Sequence, residues 1–315
     1  MLVFLGTSQA AGGACQQVLD LVGVKEVRHK GGGFLQEVSG LTFFQGYLWA
    51  VGDKEDTVLY RLDPTAREPM IIALDVPLML RPASWGLLQR CHGAKRGRLD
   101  LEGIAVSPEG RLLLLSERYR AVLVADLEDP SGPSPRAIVQ QIQCLPGRNV
   151  SANDGLEGLT VVGEGYLALE EGKGQIAKGV YHCRLSNGRC ASLQPITVED
   201  RTPDLIAIDP AGIRLLLLRT GISVQQLLEA RLGDTEPHAC LLDLNRLRRE
   251  ARSRQDLPAS FREEGADNYE GIAFDPKTET LYIINDNNAA WNRLTAGDPD
   301  KEPTLLYILK FKRMP

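Results

Sequence analysis

"DLEGIAVSPEGRLLLLSERYR", Asp100 to Arg120, holds two apolar runs, "GIAV" and "RLLLLS", separated by the polar turn "SPEG". Apolar runs of about four to eight residues bounded by turn residues read as short strands buried on both faces. A helix would need a longer run without the turn. The stretch therefore reads as a β-hairpin, entered at Glu102 and left at Glu117.

Working outward, the same pattern recurs. "VSGLTFFQGYLWAVGDKEDTVLYRLD", "GLEGLTVVGEGYLALEEGKG", "PDLIAIDPAGIRLLLLRTG" and "NYEGIAFDPKTETLYIINDNN" align with it. Their anchors are Gly40, Gly103, Gly158, Leu205 and Gly271, at intervals of 63, 55, 47 and 66 residues. Units of this size, each with two or three short strands, have the scale of propeller blades. A propeller hides its sheet edges by radial repetition. The expectation is an all-β chain, a β-propeller of five or six four-stranded blades. A sixth blade would come from residues around Met70 to Leu88. The last strand, "LLYILKF" (Leu305 to Phe311), would pair with an N-terminal strand to close the ring. "SVQQLLEARL" and "NRLRREAR" in the long fourth interval read as helical decorations.

The propeller is expected over residues 24–315. Residues 1–23 read as a preceding segment in which "LVFLG" and the small residues after it resemble the end of a secretory signal, against the alternative of a frayed terminus. The net charge is −5, with no long basic run, which argues against nucleic acid as a partner. "RLRREARSR" reads as a solvated face. No run approaches the roughly 18 apolar residues of a membrane span. The six cysteines form no CxxC pair, so a zinc ribbon or redox motif is not expected. Cys183 and Cys190 flank an Asn187-Gly188 turn, and either a disulfide across that hairpin or free thiols fit the spacing.

The spacing carries a site. In an antiparallel hairpin the start of the first strand lies beside the end of the second. Ser39, Glu102, Glu157, Asp204 and Glu270 start the first strands; Asp53, Glu117, Glu170, Arg219 and Asp286 end the second. Both series gather at one rim of the channel, beside Lys54, Arg118 and Lys173. Like charges brought together raise one another's pKa and need a compensator. A hard cation with oxygen ligands, such as calcium, is one. Pinning of the blades by carboxylates that accept main-chain N–H groups is the other reading. The four histidines, His29, His92, His182 and His238, stand outside the repeats.

At "SGLTF", "LEGIAVSPEGRLLLLSER", "LEGLTV", "DLIAID…RLLLLR", "ACLLDL" and "NYEGIAFDP…LYIINDNN" the chain resembles the phytase-like propellers known for an esterase-like activity of phytase, over about residues 36 to 312. It is also similar to the SdiA-regulated propellers. The resemblance implies a propeller outside the cytoplasm and a calcium-dependent phosphoesterase or esterase. It implies metal ligation by Glu102, Glu157, Glu270 and Asp286, and a catalytic set of Glu102, Glu157, Glu270 and Glu117. An anionic small molecule would be held by Arg118, Lys54, Lys173 and Arg219, in a monomer. Blade four departs, with Asp204-Leu205 and Arg219 in place of Glu-Gly and an acid, which puts a multi-calcium centre in doubt. The competing function is a propeller that binds a ligand or protein at its rim without catalysis.

Overall fold

The computed structural model describes residues 15–52, 57–92, 97–146, 155–170, 177–209, 211–220, 224–258, 268–286 and 303–312. The first strand, β1 (Leu19–Arg28), belongs to the last sheet of the ring. Blade one follows as β2 (Val38–Phe44), β3 (Tyr47–Gly52) and β4 (Val58–Leu62). A short β5 (Met70–Ile72) joins β1 in parallel, and β6 (Leu74–Met79) completes the blade against β4. Helix α1 (Pro82–His92) leads to blade two, β7 (Leu101–Val106), β8 (Leu112–Ser116), β9 (Ala121–Glu128) and β10 (Arg136–Cys144).

Blade three is β11 (Leu156–Val162), β12 (Gly165–Glu170), β14 (Val180–Arg184) and β15 (Cys190–Ser192). The two-residue strands β13 (Ala177–Lys178) and β16 (Ile196–Thr197) pair beside it. Blade four is β17 (Leu205–Ala207), β18 (Arg214–Thr220), β19 (Gln225–Arg231) and β20 (Ala239–Asp243), followed by α2 (Leu244–Ala251). Blade five is β21 (Asn268–Asp275), β22 (Thr280–Asp286) and β23 (Leu305–Phe311), with β1 as its outer strand.

The described residues thus form five four-stranded units. Their inner strands β2, β7, β11, β17 and β21 touch in that order, and β21 returns to β2. The ring is closed by the chain's two ends: β1 runs antiparallel to β23, from Leu19 opposite Phe311 to Glu26 opposite Leu305. The segment ahead of residue 24 is described from Cys15 and is built into this closure. Gln16 and Val18 donate main-chain N–H groups to Cys240 and Leu241 of blade four, and Cys15 is disulfide-bonded to Cys240.

The run "RLLLLS" shows why the strands read as continuously apolar. Side chains alternate across a strand, so a strand wedged between two blades needs an apolar residue at every step. Leu112 and Leu114 face blade one in a cluster with Trp49, Val51 and Leu59, while Leu113 and Leu115 face blade three with Leu156, Leu159 and Tyr166. There is one such buried cluster at each of the five seams.

Two local expectations give way. "SVQQLLEARL" is not a helix: Gln225–Arg231 is β19, paired on both edges with β18 and β20. Its residues are good helix formers, but Leu227 serves the seam to blade five and Leu228 the seam to blade three, which only a strand allows. The stretch from Met70 to Leu88 is not a sixth blade; it holds β5, the outer strand β6 and most of α1. "NRLRREAR" does fall in a helix. Asp243 caps α2 by accepting from the Arg246 N–H at 2.8 Å, and Leu244, Leu247 and Ala251 pack into the seam between blades four and five.

All six cysteines are paired. Cys183–Cys190 crosses the hairpin turn, Cys91–Cys144 ties α1 to β10, and Cys15–Cys240 ties the N-terminal stretch to blade four. Disulfides of this kind persist in oxidising surroundings. Among the described residues no helix is long and apolar enough to cross a membrane.

Candidate functional site at the channel mouth

Four of the five inner strands open with the same irregularity. In β7, Leu101 pairs with Ser116 and Gly103 with Leu115, so Glu102 is the extra residue of a β-bulge. The register slips likewise at Ser39, Glu157 and Glu270. A bulge bends its strand and re-aims the inserted side chain, and such bulges recur beside active sites. Here all four inserted residues are buried where the inner strands converge. The glycine that follows permits the convergence: a Cβ on Gly103 would stand 2.8 Å from the Glu157 carbonyl oxygen and 3.0 Å from the Leu159 Cβ.

Glu102 and Glu117 meet across the hairpin, as the spacing predicts. The Glu117 N–H donates to the Asp100 carbonyl at 2.9 Å, and Asp100, at φ +56°, turns the chain into β7. One carboxylate oxygen from each of Asp100, Glu102 and Glu117 lies within 4.8 Å of the others. Burial first, then the charges of Asp100, Glu117 and Glu270, push the Glu102 carboxyl up to about 8, and only the Ser39 hydroxyl pulls against them. Gly155 packs on the Glu117 carboxylate, where a Cβ would lie 2.0 Å from Oε1.

Glu270 takes a hydrogen bond from the Asn268 amide and an ion pair from Arg201 at 3.4 Å. Glu157 holds the equivalent bulge between them in chain order. Asp204 occupies the same ring position in blade four but behaves differently. Its carboxylate accepts from the main-chain N–H of Leu205 at 2.8 Å, of Ile272 at 2.9 Å, and of Leu159. One side chain thereby joins blades three, four and five. Burial drives its carboxyl well above the usual carboxylate range, and the three donors pull it back.

The ends of the second strands are put to different uses. Glu170 is held by Arg120 at 2.7 Å and by the Tyr181 hydroxyl at 2.9 Å, a link between blades two and three. The Arg219 guanidinium is taken by Glu199 at 2.8 Å, Asp200 at 3.0 Å and Gln226 at 3.1 Å. Arg118 is exposed and lies over Gly97. Asp286 pairs through its backbone with Asn268; its side chain, and Asp53, Lys54 and Lys173 entirely, lie outside the described residues. Of the histidines, His29 rests edge-on against Tyr60, and His238 sits by Asp234 and Glu229 in blade four.

Two residues of the mouth escape the reading of the repeats. Asp100 had a signal: it stands two residues before the bulge, where blade five has Asn268 and blade one Glu37. Arg201 had none, because it lies in the connection "VEDRTPD" outside the aligned strands.

The donors gathered here are hard oxygens. Calcium–oxygen contacts run about 2.3–2.6 Å, so carboxylates whose oxygens lie this close can share one ion. The fold and the mouth define a β-propeller with an acidic channel entrance. Residues 34–289 match the phytase-like family, described as esterase-like activity of phytase, and the chain belongs to that family. Among solved structures it is similar to the glutaminyl cyclase of Myxococcus xanthus, with a TM-score of 0.54 and 12% identity over 94% of this chain and 97% of that one. It is also similar to the PQQ-bound aldose sugar dehydrogenase of Streptomyces coelicolor, with a TM-score of 0.44 and 12% identity over 94% and 99%. At such identity the first likeness speaks to the propeller fold alone. No curated protein matches the chain by sequence.

Proposed function

We propose that the channel mouth binds calcium and that the protein is a calcium-dependent hydrolase of phosphate or other ester bonds, working outside the cytoplasm. The observation that carries this reading is the approach of Asp100, Glu102 and Glu117 within 4.8 Å. Asp100, Glu102 and Glu117 would hold the ion, with Glu157, Glu270 and Asp286 as further oxygen donors. Bound calcium supplies Lewis-acid polarisation of an ester oxygen and a more acidic water. Glu157 or Glu270, when not ligating the ion, would accept the proton of an attacking water. Arg118, with Lys54 and Lys173, would orient a small anionic substrate. The three disulfides support an oxidising compartment.

The second reading is a propeller that binds a ligand at its rim without turnover. It is favoured by the placement of His29 and His238, which are engaged elsewhere and offer the mouth no imidazole. One pair of measurements separates the readings. Thermal melts in calcium and in chelator test the ion: binding to the folded state alone stabilises by about 2.7 kcal/mol at about 100 times Kd. A panel of phosphate and carboxylic esters, assayed with and without calcium, tests turnover. Calcium-linked stability with no hydrolysis would leave the binding reading; neither effect would sink both the metal and the hydrolase.

A further inference from the structure

We infer that the Cys15–Cys240 disulfide is a redox lock on the closure of the ring: a dithiol reductant that opens it loosens the seam between blades four and five and leaves the other seams shut. The lock acts whatever the channel mouth binds. Of the three disulfides it is the one that joins two blades. Cys183–Cys190 lies within blade three, between residues paired directly across β14 and β15. Cys91–Cys144 fastens α1 to β10 of blade two. Cys240 belongs to β20, the outer strand of blade four, and Cys15 stands four residues ahead of β1, the outer strand of blade five.

Residues 15–28 carry the closure. β1 pairs with β23 on one side and β5 on the other, so it is held firmly in blade five. The residues ahead of it are tied to blade four more sparingly. Besides the disulfide, Gln16 and Val18 donate to the Cys240 and Leu241 carbonyls at 2.9 and 3.0 Å, and the Gln226 amide reaches the Cys15 sulfur at 3.4 Å. The pairing is irregular: donors two residues apart meet successive carbonyls, with Gln17 between them at φ +52°. One further tie comes from beyond α2, where the Arg254 guanidinium donates to the Leu21 carbonyl at 2.8 Å. Cys15 and Cys240 are both half-buried, whereas Cys183 is fully buried, which leaves the lock within reach of a small dithiol.

The bond spans 225 residues, against 53 for Cys91–Cys144 and 7 for Cys183–Cys190. A cross-link over a longer loop constrains the unfolded chain more. It encloses blades one to three and most of blade four in one covalent loop, to which β21, β22 and β23 add blade five. The opening step is thiol–disulfide exchange. One thiolate of the dithiol attacks a sulfur of the pair and breaks the S–S bond; its second thiol then displaces the mixed disulfide. The reductant gives two electrons and leaves as a disulfide, and Cys15 and Cys240 end as thiols. The seam is then held by non-covalent contacts: Asp204 accepting from the Ile272 N–H at 2.9 Å, the Thr220 hydroxyl donating to the Tyr269 carbonyl at 3.2 Å, and the apolar cluster around Leu216, Tyr269 and Tyr307. It stays assembled but opens more often. The outer edges of the neighbouring blades do not share this dependence, since β6 pairs with β10 between blades one and two, and β5 with β1 between blades one and five.

Hydrogen exchange read by mass spectrometry on the full chain tests the lock, in the oxidised protein, after dithiothreitol, and in the double variant Cys15→Ser/Cys240→Ser. Reduction and the double variant should both speed exchange at least about tenfold in Leu19–Arg28, Ala239–Asp243 and Leu305–Phe311, while Leu101–Val106 and Leu112–Ser116 of blade two keep their protection. Reoxidation should restore the protection. The control pairs Cys91→Ser/Cys144→Ser and Cys183→Ser/Cys190→Ser should leave exchange at this seam as in the wild type, and of the three double variants Cys15→Ser/Cys240→Ser should melt lowest. Unchanged exchange at the seam would overturn the inference, as would a lower Tm in either control pair. If Cys15→Ser/Cys240→Ser does not fold, the oxidised wild type reduced in place gives the reading. Protection lost equally from all five blades there would make the bond a staple of the whole fold and would also overturn the lock.

Discussion

In blade two the residue entering the channel is Glu102; in blade four it is Asp204. Both are carboxylates, both are buried, and both stand one residue before the anchor of the repeat. Glu102 is the inserted residue of a bulge and meets Asp100, Glu117 and Glu270, with the Ser39 hydroxyl as its donor. Asp204 meets three main-chain N–H groups from three blades. β17 and β18 pair without a bulge, and Leu205 stands where the other blades have glycine. Its side chain fills the space over Gly158, reaching within 2.4 Å of where a Cβ there would sit. The same ring position is thus solved in two ways. Where donors of the fold satisfy the carboxylate, it is structure; where other carboxylates surround it, a ligand is wanted.

The largest test of this division is Asp204→Ala. It would leave three buried N–H groups without their acceptor, at about 1–3 kcal/mol for each that water cannot reach. A loss of about 4 kcal/mol in denaturant unfolding is expected, with the seam between blades four and five exchanging amide hydrogens faster. A cost below about 1 kcal/mol would remove Asp204 from its structural role and return it to the candidate ligands. Next comes Gly103→Ala. The added methyl must push β7 from β11, since its contacts at 2.8 and 3.0 Å are both tighter than packing allows. Overpacking of this kind costs about 2 kcal/mol. Because it shifts Glu102 as well, it should also shrink the calcium-linked rise in Tm.

The contrast explains what the sequence could and could not reveal. Blades were legible because every strand wedged between two sheets must repeat an apolar run, as in "RLLLLS" and "TLYIIN". The meeting of Glu102 with Glu117 was legible because hairpin length fixes which residues face each other. The role of Asp204 was not, since its donors come from Leu159 and Ile272, far away in the chain. Arg201 and the partners of Arg219 lie in a connection with no repeat to align. The strand at Gln225–Arg231 was misread because its residues favour helices when no neighbour dictates otherwise. The pairings of Cys15 with Cys240 and Cys91 with Cys144 depend on ring closure and on where α1 docks, neither of which local spacing encodes.

A change of pH tests the comparison from the side of blade two. In chelator, Glu102 keeps its proton up to about pH 8 in the folded chain, against an ordinary value of 4.5. Between those limits the folded state binds more protons than the unfolded one, so stability must fall as pH rises. At about 1.4 kcal/mol for each pH unit of the window, the fall should be no more than about 5 kcal/mol, and Glu102→Gln should lessen it, the remainder belonging to Asp204, whose carboxyl is raised as well. Calcium should reverse the slope in the wild type and stabilise Glu102→Gln less. A Glu102→Gln variant whose stability falls with pH as steeply as that of the metal-free wild type would show that Glu102 does not carry the slope.

The smallest expected effect belongs to Arg219, the blade-four residue that takes the place of an acid. Its guanidinium is largely buried, but its partners Glu199 and Asp200 are 59% and 42% exposed. Removing it therefore hands both acids to water, and pairs of this kind contribute about 0.5–1 kcal/mol. Arg219→Ala should cost no more than that in denaturant unfolding, and it should leave the calcium-linked rise in Tm at its wild-type size. A loss above about 2 kcal/mol, or a smaller rise in Tm, would show that the second strand of blade four contributes to the mouth as blade two does.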